Sequence, residues 1–252
     1  MHAAAQQGFS KEAGAYERGR PDYPAELLPW LQHELGLKAG RHAVDLGAGT
    51  GKFTRWLLRS GAQVTAIEPV DAMRARLAAA LPAVTAITGT AEALPLADGN
   101  ADAIVCAQAF HWFANAAALA EMHRVLVPGG ALGLVWNVRD ESVAWVAALT
   151  EIMKPHEGDA PRFYTGDWRK AFAGNASFSA LRETRFAYQH IGTPEAVIVD
   201  RCMSVSFIAA LPAGDKAAVE RQLRTLIATH PALRGLDTVA LPYQTLAYSC
   251  RS

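Results

Sequence analysis

The chain has 252 residues, 24 basic and 24 acidic side chains, a net charge of zero and 51% hydrophobic residues. That length suffices for a full α/β core, and a balanced charge without a Lys/Arg run gives no support for a nucleic-acid partner. Every long apolar stretch is broken by Gly, Pro or charge, so no membrane span is predicted.

Cys106, Cys202 and Cys250 form no metal-spaced pair, and their odd number argues against a disulfide framework; no metal site is expected. The first residues lack the basic region and apolar run of a secretory signal, which leads to the expectation of a cytoplasmic globular protein. From Tyr16 to Pro24 the prolines at 21 and 24 bias their predecessors away from helix. A helix carrying Leu27, Leu28 and Leu31 follows and stops at Gly36. Residues 1–36 thus read as an arm and helix covering a ligand site in a domain of residues 37–252, with a solvated tether as the alternative.

A short buried strand is predicted at His42–Leu46, then glycines at 47, 49 and 51, then a helix with Phe53, Trp56 and Leu57 on one face. Gln63–Ile67 is the second strand and runs into Glu68-Pro69. Met73, Leu77, Ala80 and Leu81 mark a helix capped by Asp71. Val84–Thr88 and Ala101–Cys106 are the third and fourth strands. A helix through Leu119, Met122 and Leu126 ends before Pro128-Gly129-Gly130, read as a turn, and Ala131–Trp136 is the fifth strand. This alternation predicts a doubly wound α/β fold with a mostly parallel sheet. Beyond Asn137 come a helix (Trp145, Leu149, Ile152, Met153), a loop-rich stretch, a strand at Thr184–Ile191, a helix (Val219, Leu223, Leu226, Ile227) and a last strand at Tyr243–Cys250. Seven strands with an antiparallel C-terminal edge strand are expected, and an insertion around 141–180 is expected to shape a substrate pocket.

A strand turning into a helix through three glycines allows positive φ and close approach of the backbone to a ligand. Glu68 ends the second strand 19 residues beyond Gly49, where a carboxylate accepts hydrogen bonds from both hydroxyls of a ribose. Lys52 stands where a dinucleotide-binding pattern has its third glycine, which disfavours NAD. Phe53 after Gly51-Lys52 disfavours a phosphate-cradling NTPase.

With these residues in place, the sequence resembles the class I S-adenosylmethionine-dependent methyltransferases. Val44 to Gly51 looks like that family's first motif. Ile67-Glu68-Pro69, Gly89 to Pro95, Ala101 to Val105 and His123 to Gly130 match its later segments in order. Residues 16–24 and Phe110-His111-Trp112-Phe113 look most like its small-molecule branch, which includes enzymes similar to trans-aconitate methyltransferases that esterify carboxylates. The resemblance implies a Rossmann-like fold and S-adenosylmethionine as cofactor. Gly47, Gly49 and Gly51 would pack against its methionine part, and Asp45 would orient the loop. Glu68 would hold the ribose, Ala91 and Glu92 would face the adenine, and Gln108 would lie near the methionyl end. Asp102 is assigned to strand structure.

A sulfonium methyl is already electrophilic, so the protein's task is in-line alignment with water excluded. A carboxylate nucleophile is ionised at neutral pH and needs no base. For another acceptor His111 is the candidate base, its alternative being a packed neighbour of Trp112. Tyr16, Tyr23, Trp112 and Trp136 are candidates to wall off solvent. Arg18, Arg20, Asn137 and Arg139 are candidates to bind substrate, the arginines through paired donors, with solvated surface roles as the alternative. The sequence therefore points to methylation of a small-molecule acceptor, an organic acid carboxylate first. C- or N-methylation and a non-catalytic S-adenosylmethionine-binding protein are the alternatives, and the residues assign no oligomeric state.

Overall fold

The computed structural model describes residues 20–252, so Tyr16, Arg18 and the rest of the arm through residue 19 lie outside the described residues. The elements that position the site run in order: α1 (Leu27–His33), β1 (His42–Leu46), α2 (Thr54–Arg59), β2 (Gln63–Ile67), α3 (Asp71–Ala80), β3 (Thr85–Ile87) and β4 (Ala101–Ala107). They continue with α4 (Ala116–Val125), β5 (Leu126–Arg139), α5 (Ala144–Met153), β6 (Arg182–Gly192), α6 (Ala213–Thr229) and β7 (Val239–Arg251).

The sheet order is β3-β2-β1-β4-β5-β7-β6. β1 pairs in parallel with β2 and β4, β2 with β3, and β4 with β5. β1 and β4 are apolar on both faces because helices cover both sides of a parallel sheet. β7 runs against β5: the Ser252 amide donates to the Gly130 carbonyl, and the Asp140 amide donates to that of Pro242. The doubly wound, mostly parallel seven-stranded sheet with an antiparallel strand at its C-terminal end is thus the one expected. Within it β7 stands second from its edge and β6 lies outermost. Burial accounts for the order: β7 is buried from Thr245 through Cys250, whereas β6 has no buried residue and carries Arg182, Glu183 and Arg185, side chains suited to an exposed strand.

The late strands extend beyond the sequence pattern. Pro128-Gly129-Gly130 lies inside β5 and not in a turn before it, at a register irregularity where Ala101 pairs with Leu126 and Ala103 with Ala131. The exposed Pro128 and Gly129 fall within that interval, where the ladder tolerates a missing donor. β7 likewise begins at Val239, ahead of the expected Tyr243, so that Pro242 sits within it.

The described residues form two compact units. The larger holds Pro24–Trp136, Pro161–Phe186 and Leu246–Ser252. Its core gathers Val44, Leu46, Ile67, Leu77, Ile104, Val105, Phe110, Leu119 and Trp136. The smaller comprises Asn137–Ala160, Ala187–Thr245 and residues 20–23. Trp145, Val146, Leu149 and Met153 of α5 pack there with Val197, Ile198, Cys202, Ile208, Val219 and Leu223. A π-helical turn at Glu195–Asp200 lies in this unit. All three cysteines are buried and free. No helix among the described residues is long and apolar enough to cross a membrane.

Candidate active site

The loop after β1 is fixed by glycine. Gly47 and Gly51 adopt φ of +75° and +86°, and a Cβ on them would stand 2.8 Å from Ala109 Cβ and 2.9 Å from Leu77 Cγ. Any side chain would therefore meet both a backbone penalty and a clash. The amides of Gly47 and Ala48 donate to the Ile67 carbonyl at 2.9 and 3.2 Å, tying the loop to the end of β2. Gly49 is different: space is open on its Cα, with Met73 Sδ at 3.9 Å as the nearest atom, and its amide donates to Glu68 Oε2 at 2.8 Å.

Two buried carboxyl groups flank this loop. Asp45 is inaccessible to solvent. Its Oδ2 accepts the Thr54 hydroxyl at 2.6 Å, while Oδ1 has no hydrogen-bond partner among the described residues. Burial pushes its carboxyl up to about 7, with the Thr54 hydrogen bond opposing and the nearby Glu68 charge adding. Glu68 accepts the Val70 amide on Oε1 at 2.8 Å as well as the Gly49 amide on Oε2. Burial raises its carboxyl too, against the two amides and the Arg74 guanidinium. Arg74 itself donates to the Glu68 carbonyl and to Asp71.

The remaining expected residues follow the next strands. Ala91 is buried beside the isolated Thr90–Ala93 bridge, and Glu92 is exposed and accepts from Asn115 Nδ2 at 3.1 Å. Gln108 leaves β4 with φ of +57°, alone among the described non-glycine residues in that region, and its amide donates to the Val135 carbonyl. Such a conformation costs a side-chain-bearing residue about 1–2 kcal/mol and is typical of functional turns. The Phe110–Trp112 turn that follows buries Phe110 and presents His111 and Trp112, whose rings lie 5.1 Å apart. Trp136 Nε1 donates to His111 Nδ1 at 3.1 Å.

The larger unit thus gathers Asp45, Gly47, Gly49, Gly51, Glu68, Ala91, Glu92, Gln108, His111 and Trp112 at or just beyond the carboxyl ends of β1 to β4, where open α/β sheets take their ligands. The chemistry of this set suits S-adenosylmethionine. The orphaned Asp45 Oδ1 calls for a donor, and Glu68 has acceptor capacity beyond its two amides. Gly49, with open space on its Cα, leaves bare backbone at the carboxyl end of β1.

Arg20, Asn137 and Arg139 belong to the smaller unit. Arg20 Nη2 donates to the Ser204 carbonyl at 3.4 Å. Asn137 donates to the Asp22 carbonyl and accepts the Thr245 hydroxyl at 2.6 Å. Arg139 Nη2 donates to Thr150 Oγ1 at 3.3 Å, and Thr150 in turn donates to Glu141. Asn137 and Arg139 lie within β5 and not beyond it, because the ladder with β7 continues to Asp140. Asp102, at the start of β4, accepts from Arg41 and from the His42 amide, in keeping with a role in the strands. Sequence reasoning missed Thr54 as the partner of Asp45 and Trp136 as the partner of His111. A hydroxyl nine residues on and an indole 25 residues on follow no motif spacing, and Trp136 read as a wall against solvent or as core, not as a hydrogen-bond donor to His111.

Comparison with known proteins identifies the family. Residues 44–134 match the methyltransferase domain family. An uncharacterized methyltransferase of Mycobacterium tuberculosis is 42% identical over 238 residues, 94% of this chain and 93% of that protein. An uncharacterized methyltransferase-like protein of Schizosaccharomyces pombe is 37% identical over 96% of this chain and 94% of its own length. A shorter match joins this chain to the malonyl-[acyl-carrier protein] O-methyltransferase of Methylococcus capsulatus, 39% identical over 112 residues, 42% of this chain and 40% of that enzyme. In fold, the crystal structure of the YcgJ protein from Bacillus subtilis superposes with a TM-score of 0.56 at 18% identity, covering 91% of this chain and 99% of that one. From the glycine loop to the turn after β4, sequence and structure agree: the chain belongs to the class I S-adenosylmethionine-dependent methyltransferases.

Proposed function

We propose that this protein transfers the methyl group of S-adenosylmethionine to a carboxylate oxygen of a small organic acid in the cytoplasm. One observation carries the choice of acceptor. An indole N–H is a donor only, so the 3.1 Å contact from Trp136 Nε1 makes His111 Nδ1 the acceptor. The neutral imidazole then carries its hydrogen on Nε2, and Nδ1, already accepting from the indole, does not act as a base. A carboxylate suits that arrangement. It is ionised without help, its oxygens accept hydrogen bonds, and orientation is all it requires. The partial similarity to malonyl-[acyl-carrier protein] O-methyltransferases supports the same reading.

When bound, the cofactor supplies an electrophilic methyl on a positively charged sulfur. In this reading Glu68 holds the ribose hydroxyls and Ala91 and Glu92 border the adenine. The backbone of Gly47, Gly49 and Gly51 lies along the methionine part, Asp45 orients the loop through Thr54, and Gln108 flanks the methionyl end. His111 and Trp112 border the acceptor and help exclude water.

The test uses methyl-labelled cofactor and a panel of organic acids and amines. Methyl esters release their label as volatile methanol in alkali, so alkali-labile product is expected. Label retained in an alkali-stable product would show transfer to nitrogen, carbon or a hydroxyl oxygen and overturn the carboxylate reading. His111→Phe is expected to raise KM for the acid while leaving the affinity for S-adenosylhomocysteine unchanged.

A further inference from the structure

The segment between β3 and β4, which holds Ala91 and Glu92, has almost no regular structure of its own. Its one internal ladder contact is the Thr90–Ala93 bridge. Its shape is imposed by α4. Arg124, in the last turn of that helix, places all five of its guanidinium donors. Nε and Nη2 form a fork on Glu121 at 2.8 Å each, and Nη1 reaches the Leu96 carbonyl at 2.9 Å and Asp98 Oδ1 at 2.7 Å. Nη2 also reaches the Leu94 carbonyl at 3.1 Å. Glu121 Oε2 returns to the same segment by accepting the Leu94 amide at 2.9 Å. At the other end of α4 its N-cap, Asn115, accepts the Ala118 amide and donates to Glu92. The Arg124 and Val125 carbonyls accept the amides of Gly99 and Asn100. Residues 92–100 are thus splinted along one helix, and the Arg124 side chain grips three points of the segment at once.

From this geometry we propose that Arg124, braced by Glu121, is a positioning residue for cofactor recognition: it sets the affinity for the adenine end of S-adenosylmethionine by holding the segment that carries Ala91 and Glu92, without touching the cofactor. A planar fork on a carboxylate is what a guanidinium provides and an ammonium does not. The contacts to carbonyls 94 and 96 fix the backbone two and four residues from Glu92, so loss of the fork lets the adenine wall drift. A glutamine amide at the position of Glu121 could not accept on both atoms of the fork, so Glu121→Gln disturbs the same clasp with little change in volume. The Arg124 side chain is 32% exposed, and both variants are expected to fold. The inference rests on the placement of the adenine beside Ala91 and Glu92.

Binding of S-adenosylhomocysteine and of its inosine analogue, in which an oxo group replaces the adenine amine, is measured by calorimetry on the full chain. It is followed by steady-state kinetics and thermal melting. Arg124→Lys and Glu121→Gln are each expected to raise Kd for S-adenosylhomocysteine about tenfold and to narrow its preference over the inosine analogue. KM for S-adenosylmethionine is expected to rise in parallel, with kcat at saturating cofactor within about twofold of the parent. A residue serving stability alone would lower the melting temperature and leave the preference between the two ligands intact, and that result overturns the proposal. Glu92→Ala separates the proposal from its premise. If it changes the preference while Arg124→Lys does not, the positioning role fails. If Arg124→Lys changes the preference and Glu92→Ala does not, the role stands and the placement of adenine at Glu92 fails.

Discussion

The Gly49 amide donates to Glu68 Oε2 across 2.8 Å and nineteen residues of sequence. One carboxylate therefore shapes the glycine loop from below, and in the proposed reading it meets the ribose from above. Glu68→Ala removes both jobs. It strands the Gly49 and Val70 amides, at about 1–3 kcal/mol for each donor left unmade. It is expected to raise Kd for S-adenosylhomocysteine ten- to hundredfold, since hydrogen bonds to a charged group are worth about 1.5–3 kcal/mol. Calorimetry and urea unfolding read the two effects separately, and an unchanged Kd would remove Glu68 from the ribose.

Asp45 gives the chain a specific pH dependence. Its carboxyl is raised from an ordinary 3.8 to about 7, so between those limits the folded state holds a proton that the unfolded chain has released. The stability this confers is fully present below about pH 4 and is lost as pH rises through about 7, a difference of roughly 4 kcal/mol at most. Asp45→Asn removes the titration. The stability of the variant relative to the parent is expected to rise from about pH 5 to about pH 8.5 in urea melts. A constant gap across that range would show that Asp45 does not titrate there.

Gly47→Ala is expected to destabilise the fold by about 2–4 kcal/mol, combining a left-handed backbone cost with overpacking. The clash is with a single methyl, Ala109 Cβ. Adding Ala109→Gly should recover the steric part and leave the backbone part of about 1–2 kcal/mol. Full recovery in the double variant would show that φ at Gly47 carries no strain.

Asp102 provides a negative control. Burial works to raise its carboxyl, but the His42 amide and the Arg41 guanidinium more than offset this and hold it below the usual range. Its contribution is therefore present above about pH 4 and lost as pH falls further. Asp102→Asn should cost less than about 1 kcal/mol at neutral pH, as expected for a solvent-facing pair. It should leave cofactor affinity untouched, because Asp102 lies at the opposite strand end from the loop.

The parts of the site legible in the sequence are those set by local backbone demands. Gly47 and Gly51 stand where only glycine avoids a clash, and Glu68 ends a strand whose apolar run is unmistakable. Gln108 falls after β4 as expected, yet its φ of +57° has no signal in its residue type. What the sequence hides are the long-range pairs. The Trp136–His111 hydrogen bond depends on parallel β4 and β5 lying side by side, and Arg124's grip on residues 94–98 depends on how α4 docks. The order of β7 and β6 is hidden for a related reason: it follows from how the sheet packs, with β7 buried from Thr245 through Cys250 and β6 without a buried residue.

The buried thiols carry a practical consequence. Cys106 lies in β4 of the larger unit and Cys202 in the smaller one, and burial pushes both thiols up, Cys106 well above the ordinary range. Neither reacts as a thiolate until its own surroundings open. Cys250 is a third buried thiol, in the larger unit; with it replaced, the labelling rates of Cys106 and Cys202 in dilute denaturant time the opening of the unit that holds each.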